Sequence, residues 1–166
     1  MDFNFTFRLA DSEKDIDRLA NFLLPRPLNY RGYTNWLERA IEELYLEYKQ
    51  AAMGFSYGYL VASLMFQPHK SIKGFCELKN ARTLEEFQGG KIQSLMRRQV
   101  EILAKKQGYW VVQGDARADR LDIILPLLAD GYKEVARVDL YNEGYEDVVL
   151  VKPLIEREEK SWLYRD

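Results

Sequence analysis

A glycine-containing loop that leads directly into a long amphipathic helix constrains this chain more than any other feature of its sequence. The loop and helix occupy Phe87–Gln107, FQGGKIQSLMRRQVEILAKKQ, and a strand-like segment precedes them. Gly108 is a typical helix-ending residue, and the apolar run Tyr109–Val112 that follows is typical of a buried strand. Strand, glycine loop, helix and strand in this order predict one crossover pair within an α/β sheet.

The start of this helix is a candidate anion site. The first backbone N–H groups of a helix have no partner within the helix, and the positive end of the helix dipole lies at the same point. A phosphate or pyrophosphate suits that position, so the sequence predicts an anionic cofactor.

Periodicity predicts the remaining elements. Phenylalanines alternate with polar residues at the start, as in a half-buried strand, and two amphipathic helices follow, with Asp11 or Ser12 and then Thr34 as candidate N-caps. Two strands about a turn at Ser56–Gly58 and a third at Ile72–Thr83 precede the glycine loop. A shorter helix at Asp119–Asp130 and two closing strands, Lys133–Tyr141 and Asp147–Lys152, complete the order. Because a run of antiparallel strands comes before a single crossover, we expect a mixed sheet.

Composition excludes several classes of function. A length of 166 residues favours one domain, which we place at 1–154, with a charged and helical C-terminal tail at 155–166. The formal net charge of -2 provides no general attraction for nucleic acid, and the basic residues of the long helix, including Arg97 and Arg98, are interpreted as a solvated surface.

The lone Cys76 and the single His69 make a zinc site implausible, so no metal is expected. No apolar run is long enough to span a membrane, and the start lacks the order of a signal peptide. We therefore expect a cytoplasmic protein that does not interact with membranes. Trp162 and Tyr164 in the tail suggest a homodimer contact.

From about Gly58 to Leu154 the chain resembles the GCN5-related N-acetyltransferases, the GNAT family. Two runs carry the resemblance: ELKNARTLEEFQGGKIQSLMRRQVEILAKKQGYWVVQGDA and LLADGYKEVARVDLYNEGYEDVVLVKPL. The first is similar to the family's fourth strand, pyrophosphate loop, third helix and fifth strand, and the second to its closing segment. The resemblance implies an α/β (α+β) GNAT-like acyl-CoA N-acyltransferase fold, with a central mixed, largely antiparallel sheet of six to seven strands and about four helices.

The resemblance also implies acetyl-CoA, or another acyl-CoA, as cofactor and an amine-bearing acceptor as partner. The pyrophosphate would be held by the loop residues Gln88, Gly89, Gly90, Lys91, Ile92 and Gln93. The pantetheine arm would pair with the end of the preceding strand at Ala81, Arg82 and Thr83. The chemistry implied is transfer of an acyl group to the amine, for which a base must remove a proton.

The resemblance makes Glu77 the candidate base, because it lies on the strand before the loop, near where some family members have a catalytic glutamate. An exposed structural glutamate is the alternative interpretation. Tyr141, near the last strands, is a candidate for lining the acceptor pocket or supplying a proton, and Tyr145 is a second; ordinary packing is the alternative for both. Period-two alternation predicts two opposite faces for this strand: Cys76, Leu78 and Asn80 on one, and Glu77, Lys79 and Ala81 on the other.

Cys76 is interpreted as a small buried hydrophobe rather than a nucleophile, and His69 as an exposed loop residue rather than a base.

Three residues depart from the family pattern. Lys91 and Gln93 stand where the loop usually has small residues, and Leu127 stands where many relatives have a tyrosine that serves as an acid. These departures motivate a second hypothesis, a catalytically silent GNAT-like domain with a binding or regulatory role. A third is a nucleotide-binding α/β domain, since a glycine loop before a helix is a weak signal by itself.

Overall fold

The computed structural model describes residues 4–89 and 91–155, which form seven strands and four α-helices. The strands are β1 (Phe5–Leu9), β2 (Gln50–Ser56), β3 (Tyr59–Pro68), β4 (Phe75–Thr83), β5 (Val111–Arg117), β6 (Lys133–Val138) and β7 (Asp147–Pro153). The helices are α1 (Glu13–Leu23), α2 (Tyr33–Tyr45), α3 (Ile92–Lys106) and α4 (Leu121–Ala129). The tail expected to be helical lies, beyond Ile155, outside the described residues.

All seven strands belong to one sheet in the order β1-β2-β3-β4-β5-β7-β6. β4 and β5 are parallel, and the other five neighbouring pairs are antiparallel. The long helix α3 connects the two parallel strands, which is the crossover that the sequence predicts. The prediction of a mixed, largely antiparallel sheet is confirmed.

The helices cover both faces of the sheet. Helices α1 and α2 pack on one face through an apolar cluster that includes Leu19, Leu37 and Met65. Helices α3 and α4 pack on the other face through a cluster that includes Met96 and Val112. Each strand between them therefore contributes alternate residues to two cores. No helix in the described part of the chain combines the length and the apolar composition that a membrane span requires.

Local signals set most of the element ends. Ser12 caps α1 by accepting a hydrogen bond from the backbone N–H of Asp15, as predicted. Tyr57 and Gly58 both have positive φ, at 49° and 80°, which gives the tight turn between β2 and β3. The predicted Thr34 cap of the second helix is wrong, because the N-cap is Gly32, two residues earlier, in a left-handed conformation at φ 76°.

The interpretation of Arg97 as a solvated residue is also wrong. Its side chain is buried, and its guanidinium donates at 2.6 Å to the carboxylate of Asp130, which follows α4. The pair joins the two helices on the same face of the sheet, so the charge is neutralised where it is buried.

Gly74 fixes the point at which β4 begins. The predicted strand from Ile72 is too long, because Gly74 has a φ of 84° and β4 begins only after it. A Cβ atom at Gly74 would lie 1.1 Å from Nε1 of Trp110, so the indole ring occupies the space of the missing side chain. The backbone N–H of Trp110 also donates to the carbonyl of Gly74 at 3.0 Å. This contact aligns the starts of the two parallel strands.

We expect Gly74→Ala to destabilise the protein strongly, because the methyl group would displace Trp110 and the backbone would be strained. Gly58→Ala is the matched control, since Gly58 has a similar φ of 80° but no atom of residues 4–89 or 91–155 lies within 4 Å of the added Cβ. The strain common to both should be ~1–2 kcal/mol, with a further ~1–3 kcal/mol of overpacking at position 74 alone. Chemical denaturation measures the free energy of unfolding of each variant. Equal decreases in that free energy for Gly74→Ala and Gly58→Ala would contradict the account.

Candidate functional site

The two parallel strands separate shortly after they begin. β4 and β5 pair at three positions, Phe75 with Val111, Cys76 with Val112, and Glu77 with Gln113. Both strands then continue, β4 to Thr83 and β5 to Arg117, without further pairing between them. We call the gap between residues 78–83 and 114–117 the fork. It leaves one edge of β4 open in the middle of a seven-stranded sheet.

A bulge in β4 lies at the fork. Met65 of β3 is opposite Lys79, and Ser63 is opposite Arg82, so two residues of β4 face one residue of β3. Asn80, within the bulge, has a φ of 51°. Its side chain accepts a hydrogen bond from the Tyr33 hydroxyl at 3.2 Å, on the α2 side of the sheet. The prediction that Asn80 shares a face with Cys76 is therefore wrong, because the bulge breaks the alternation.

Backbone groups at the end of β4 are directed into the fork. The Leu84 N–H donates to the Val61 carbonyl at 2.8 Å, which places Thr83 at a position that does not bond β3. Because the bonding direction alternates along a strand, the N–H and C=O of Thr83 point toward the fork. The Gln88 side chain donates to that carbonyl at 3.3 Å. The predicted residues Ala81, Arg82 and Thr83 thus lie on the open edge, although the Arg82 guanidinium turns away to bond Tyr33.

Helix α3 begins next to this edge. Lys91 is its N-cap residue, with a φ of 59° and no side-chain hydrogen bond that caps the helix. The left-handed conformation is the one that glycine would supply, and the lysine side chain is exposed. Among the residues that the structure describes, none lies within 4 Å of a Cβ placed at Gly89. Gly90, also predicted in the loop, lies outside the described residues.

Gln93 holds the first turn of α3 against β4. Its side-chain amide donates to the Arg82 carbonyl at 2.7 Å and to the Thr83 hydroxyl at 2.9 Å. The side chain is therefore directed at the sheet, not outward past the N-terminus of the helix. Two of the three residues that depart from the family pattern are accommodated in this way, with Lys91 exposed and Gln93 turned inward.

A polar cleft of about 390 Å³ opens at the fork on the α2 face. Its walls include the two predicted catalytic residues, Glu77 from β4 and Tyr141 from the segment after β6. Asp115 from β5 and Lys79 from β4 also line it, and neither was selected from the sequence. The alternation of side chains along a strand could have indicated them. Lys79 is two residues from Glu77 on β4, and Asp115 is two residues from Gln113 on β5, so each pair lies on one face. Tyr145 is not among the residues that line this cleft, and its ring packs against the Arg117 guanidinium.

Glu77 is held by three side chains. One carboxylate oxygen accepts a hydrogen bond from Gln67 at 2.9 Å, and the other lies 3.6 Å from Nε2 of His69 and 3.9 Å from Nζ of Lys79. Gln67 is fixed in turn by the buried Lys49, whose ammonium also pairs with Glu43. Glu77 is thus a partly buried carboxylate at the base of the cleft, not an exposed strand residue.

His69 is not the exposed loop residue that the sequence suggested. Its Nδ1 accepts hydrogen bonds from the backbone N–H groups of Ser71 and Ile72, both at 3.0 Å. In the neutral ring the proton is then carried by Nε2, which faces Glu77. His69 therefore orders the turn before β4 and directs an N–H group toward the carboxylate.

Asp115 and Tyr141 form the opposite wall of the cleft, and Lys79 reaches them from β4. The Tyr141 hydroxyl donates to one Asp115 oxygen at 2.8 Å, and the Lys79 ammonium lies 3.4 Å from the other. Tyr141 is 54% exposed as a residue, but desolvation of its hydroxyl in the cleft and the negative charge of Asp115 raise its pKa above the ordinary value. Tyr141 therefore keeps its proton at neutral pH and acts as a hydrogen-bond donor.

The other candidates lie on the opposite face of the sheet. Cys76 is fully buried in the cluster beneath α3, as expected for a structural cysteine. Leu127, at the position of the missing acid, is buried against the same cluster. Tyr132 packs there too, with its hydroxyl bonded to Glu101 at 3.0 Å.

The fold is that of solved acetyltransferases. A structure from Desulfovibrio desulfuricans described as an acetyltransferase of the GNAT family superposes with a TM-score of 0.75 at 10% identity, covering 91% of this chain and 99% of that one. The ribosomal-protein-S18-alanine N-acetyltransferase of Escherichia coli gives 0.73 at 16% identity, with 97% and 99% covered. The yncA structure from Salmonella typhimurium with its cofactor acetyl-CoA gives 0.72 at 14% identity, with 93% and 96% covered.

These comparisons confirm the GNAT resemblance at the level of the fold. By contrast, neither a protein-family model nor a curated protein matches the sequence.

We expect Cys76 to be unreactive in the native protein. Burial raises the pKa of its thiol to about 12, so the reactive thiolate is scarce at pH 8. A thiol reagent such as dithionitrobenzoate should label the chain slowly under native conditions and rapidly once it is unfolded. Rapid labelling of the folded protein at pH 8 would contradict this assignment and return Cys76 to the list of candidate nucleophiles.

Proposed function

We propose that this chain, which has the fold of the GNAT acetyltransferases, is an N-acyltransferase that uses acetyl-CoA or another acyl-CoA and acylates an amine. One observation carries the proposal: the open edge of β4, the N-terminus of α3 and a cleft with carboxylates meet at a single fork. An anion site, an unpaired strand edge and a candidate base are the three parts that the reaction requires.

The residues at the fork fit an acyl-CoA. The Thr83 backbone groups that point into the fork suit an amide-bearing arm that adds to β4 as a strand would. The start of α3, held to β4 by Gln93, suits the pyrophosphate, and the exposed Lys91 adds a positive charge beside it. When bound, the cofactor supplies the acyl group as an activated thioester.

Within the cleft we assign separate roles to two walls. Glu77 Oε1 or Oε2 takes the proton from the acceptor ammonium, directly or through water, while Gln67 and His69 hold the carboxylate in place. Tyr141 positions Asp115 by donating its one proton to that carboxylate, and its oxygen can accept a hydrogen bond from the acceptor ammonium. Glu77 and Asp115 are the carboxylates of this cleft that an acceptor ammonium would contact, in competition with Lys79.

The absence of a tyrosine at Leu127 favours the second candidate, a silent GNAT-like domain that binds a ligand without chemistry. A thiolate is a good leaving group, so the lack of this acid at a buried leucine weakens transfer without preventing it. The two candidates share the binding site and differ in turnover.

CoA binding is tested by thermal unfolding with CoA, acetyl-CoA and ATP. We expect both CoA species to raise the melting temperature, because a ligand at one hundred times its Kd stabilises the native state by ~2.7 kcal/mol. Lys91→Gly should weaken CoA binding about threefold, since an exposed charge contributes ~0.5–1 kcal/mol and glycine preserves the left-handed backbone.

Lys106→Ala is the matched control, because it removes an exposed charge at the far end of α3 and should leave CoA affinity unchanged. Tighter binding by Lys91→Gly would show that the lysine obstructs the site. Stabilisation by ATP alone would support the nucleotide-binding hypothesis instead.

Catalysis is tested by the release of CoA thiol with a panel of amines and peptides. Glu77→Gln should lower kcat by about 10²- to 10⁴-fold while CoA affinity is retained, which is the usual contribution of a general base. Glu38→Gln, an exposed carboxylate on α2 that does not line the cleft, is the control. CoA binding without turnover on any acceptor would favour the silent domain, and full activity of Glu77→Gln would remove Glu77 as the base.

A further inference from the structure

Lys79 places an amine of the chain itself inside the cleft. Its Nζ lies 3.4 Å from Asp115 Oδ1, 3.5 Å from the Tyr141 hydroxyl and 3.9 Å from Glu77 Oε1. The side chains of Lys79, Glu77 and Asp115 are 13–19% exposed, so the ammonium is sheltered but still accessible to a ligand in the cleft. Lys79 thus occupies the environment that the proposed function assigns to an acceptor ammonium, with the candidate base beside it.

Lys79 lies on β4 directly across the bulge from Ala81–Thr83, the residues predicted to bind the pantetheine arm. The open edge of β4 runs from Thr83 back past Ala81, and the bulge at Asn80 lies between Ala81 and Lys79 on it. A ligand that extends from α3 along that edge therefore reaches the bulge next, and Lys79 is the first residue beyond it. Its side chain enters the cleft on the α2 face, where Asp115 and Tyr141 receive it.

We propose that Lys79 is a self-acylation site, modified by the acyl-CoA that the fork binds. This inference rests on the proposed function, because it requires an acyl-CoA in the fork. It adds to that function an acceptor within the chain, whose modification would change the charge of the cleft.

The step balances without a further reagent. The Lys79 ammonium gives one proton to Glu77 or Asp115, and the neutral Nζ forms a bond to the thioester carbonyl carbon. The carbon–sulfur bond breaks, and the second proton lost from the nitrogen converts the departing thiolate to the thiol. The products are an amide at Nζ, free CoA and one proton that the carboxylate returns to solvent.

Acylation would release both carboxylates from their ion pairs with Lys79. An amide carries no charge, so Glu77 and Asp115 would become available to an external ammonium at the same place. The modified cleft should then bind a cationic amine more tightly than the unmodified one does.

The test compares two acylating reagents on the purified full-length chain by peptide mass spectrometry. Acetic anhydride, which needs no binding site, should label the exposed Lys106 faster than Lys79, because the Lys79 ammonium is held in ion pairs. Isotope-labelled acetyl-CoA should instead label Lys79 before Lys106. Excess unlabelled CoA should prevent the labelling of Lys79. Lys79→Arg should abolish the CoA-dependent label, whereas Lys106→Arg should retain it fully.

The outcomes separate this inference from the proposed function. If CoA raises the melting temperature but acetyl-CoA labels lysines in the same order as acetic anhydride, self-acylation is wrong and the cofactor assignment stands. Labelling of Lys79 that excess CoA does not reduce would also overturn it. If neither CoA species binds, both proposals fail. Thermal unfolding of Lys79→Arg and Lys79→Gln checks that each variant is folded, so loss of label in a folded variant is attributable to the missing amine.

Discussion

The short pairing between β4 and β5 is the constraint on which the rest of the site depends. Three residue pairs hold the two strands together at one end, where Gly74 accommodates the Trp110 ring. Beyond them the strands separate, and each remains supported by its other neighbour, β3 or β7. An internal edge with free backbone groups can persist only because both strands are anchored in this way. The pairing of the strands therefore accounts for the fork without reference to any ligand.

The cleft beside the fork is built from charges that neutralise one another. Lys49 pairs with Glu43, and Lys79 lies between Glu77 and Asp115. Partly buried charges need such partners, since removing either member leaves the other desolvated and unpaired. The arrangement places two carboxylates beside a sheltered volume, with the Lys79 amine between them. The chemistry that we propose follows from this charge pattern.

The order of strands and helices could be predicted from the sequence because periodicity and glycines report on local structure. The glycine loop before Ile92 and the alternation through Glu77 were sufficient to place both on the correct elements. The roles of Asp115 and Lys79 could not be predicted, because their contact depends on how β4 and β5 separate. The bulge at Asn80 and the buried pair of Arg97 with Asp130 likewise depend on tertiary packing, and no local sequence pattern predicts them.

Backbone amide resonances during a titration with CoA test the central claim most directly, which is that the fork holds an acyl-CoA between β4 and α3. The account predicts that the largest shifts fall on two separated segments, Ala81–Thr83 at the open edge and Gln88–Gln93 at the start of α3. Residues of β1 and β6, at the two edges of the sheet, should hardly change. Shifts that are absent, or that concentrate away from both segments, would contradict the assignment of the fork as a cofactor site.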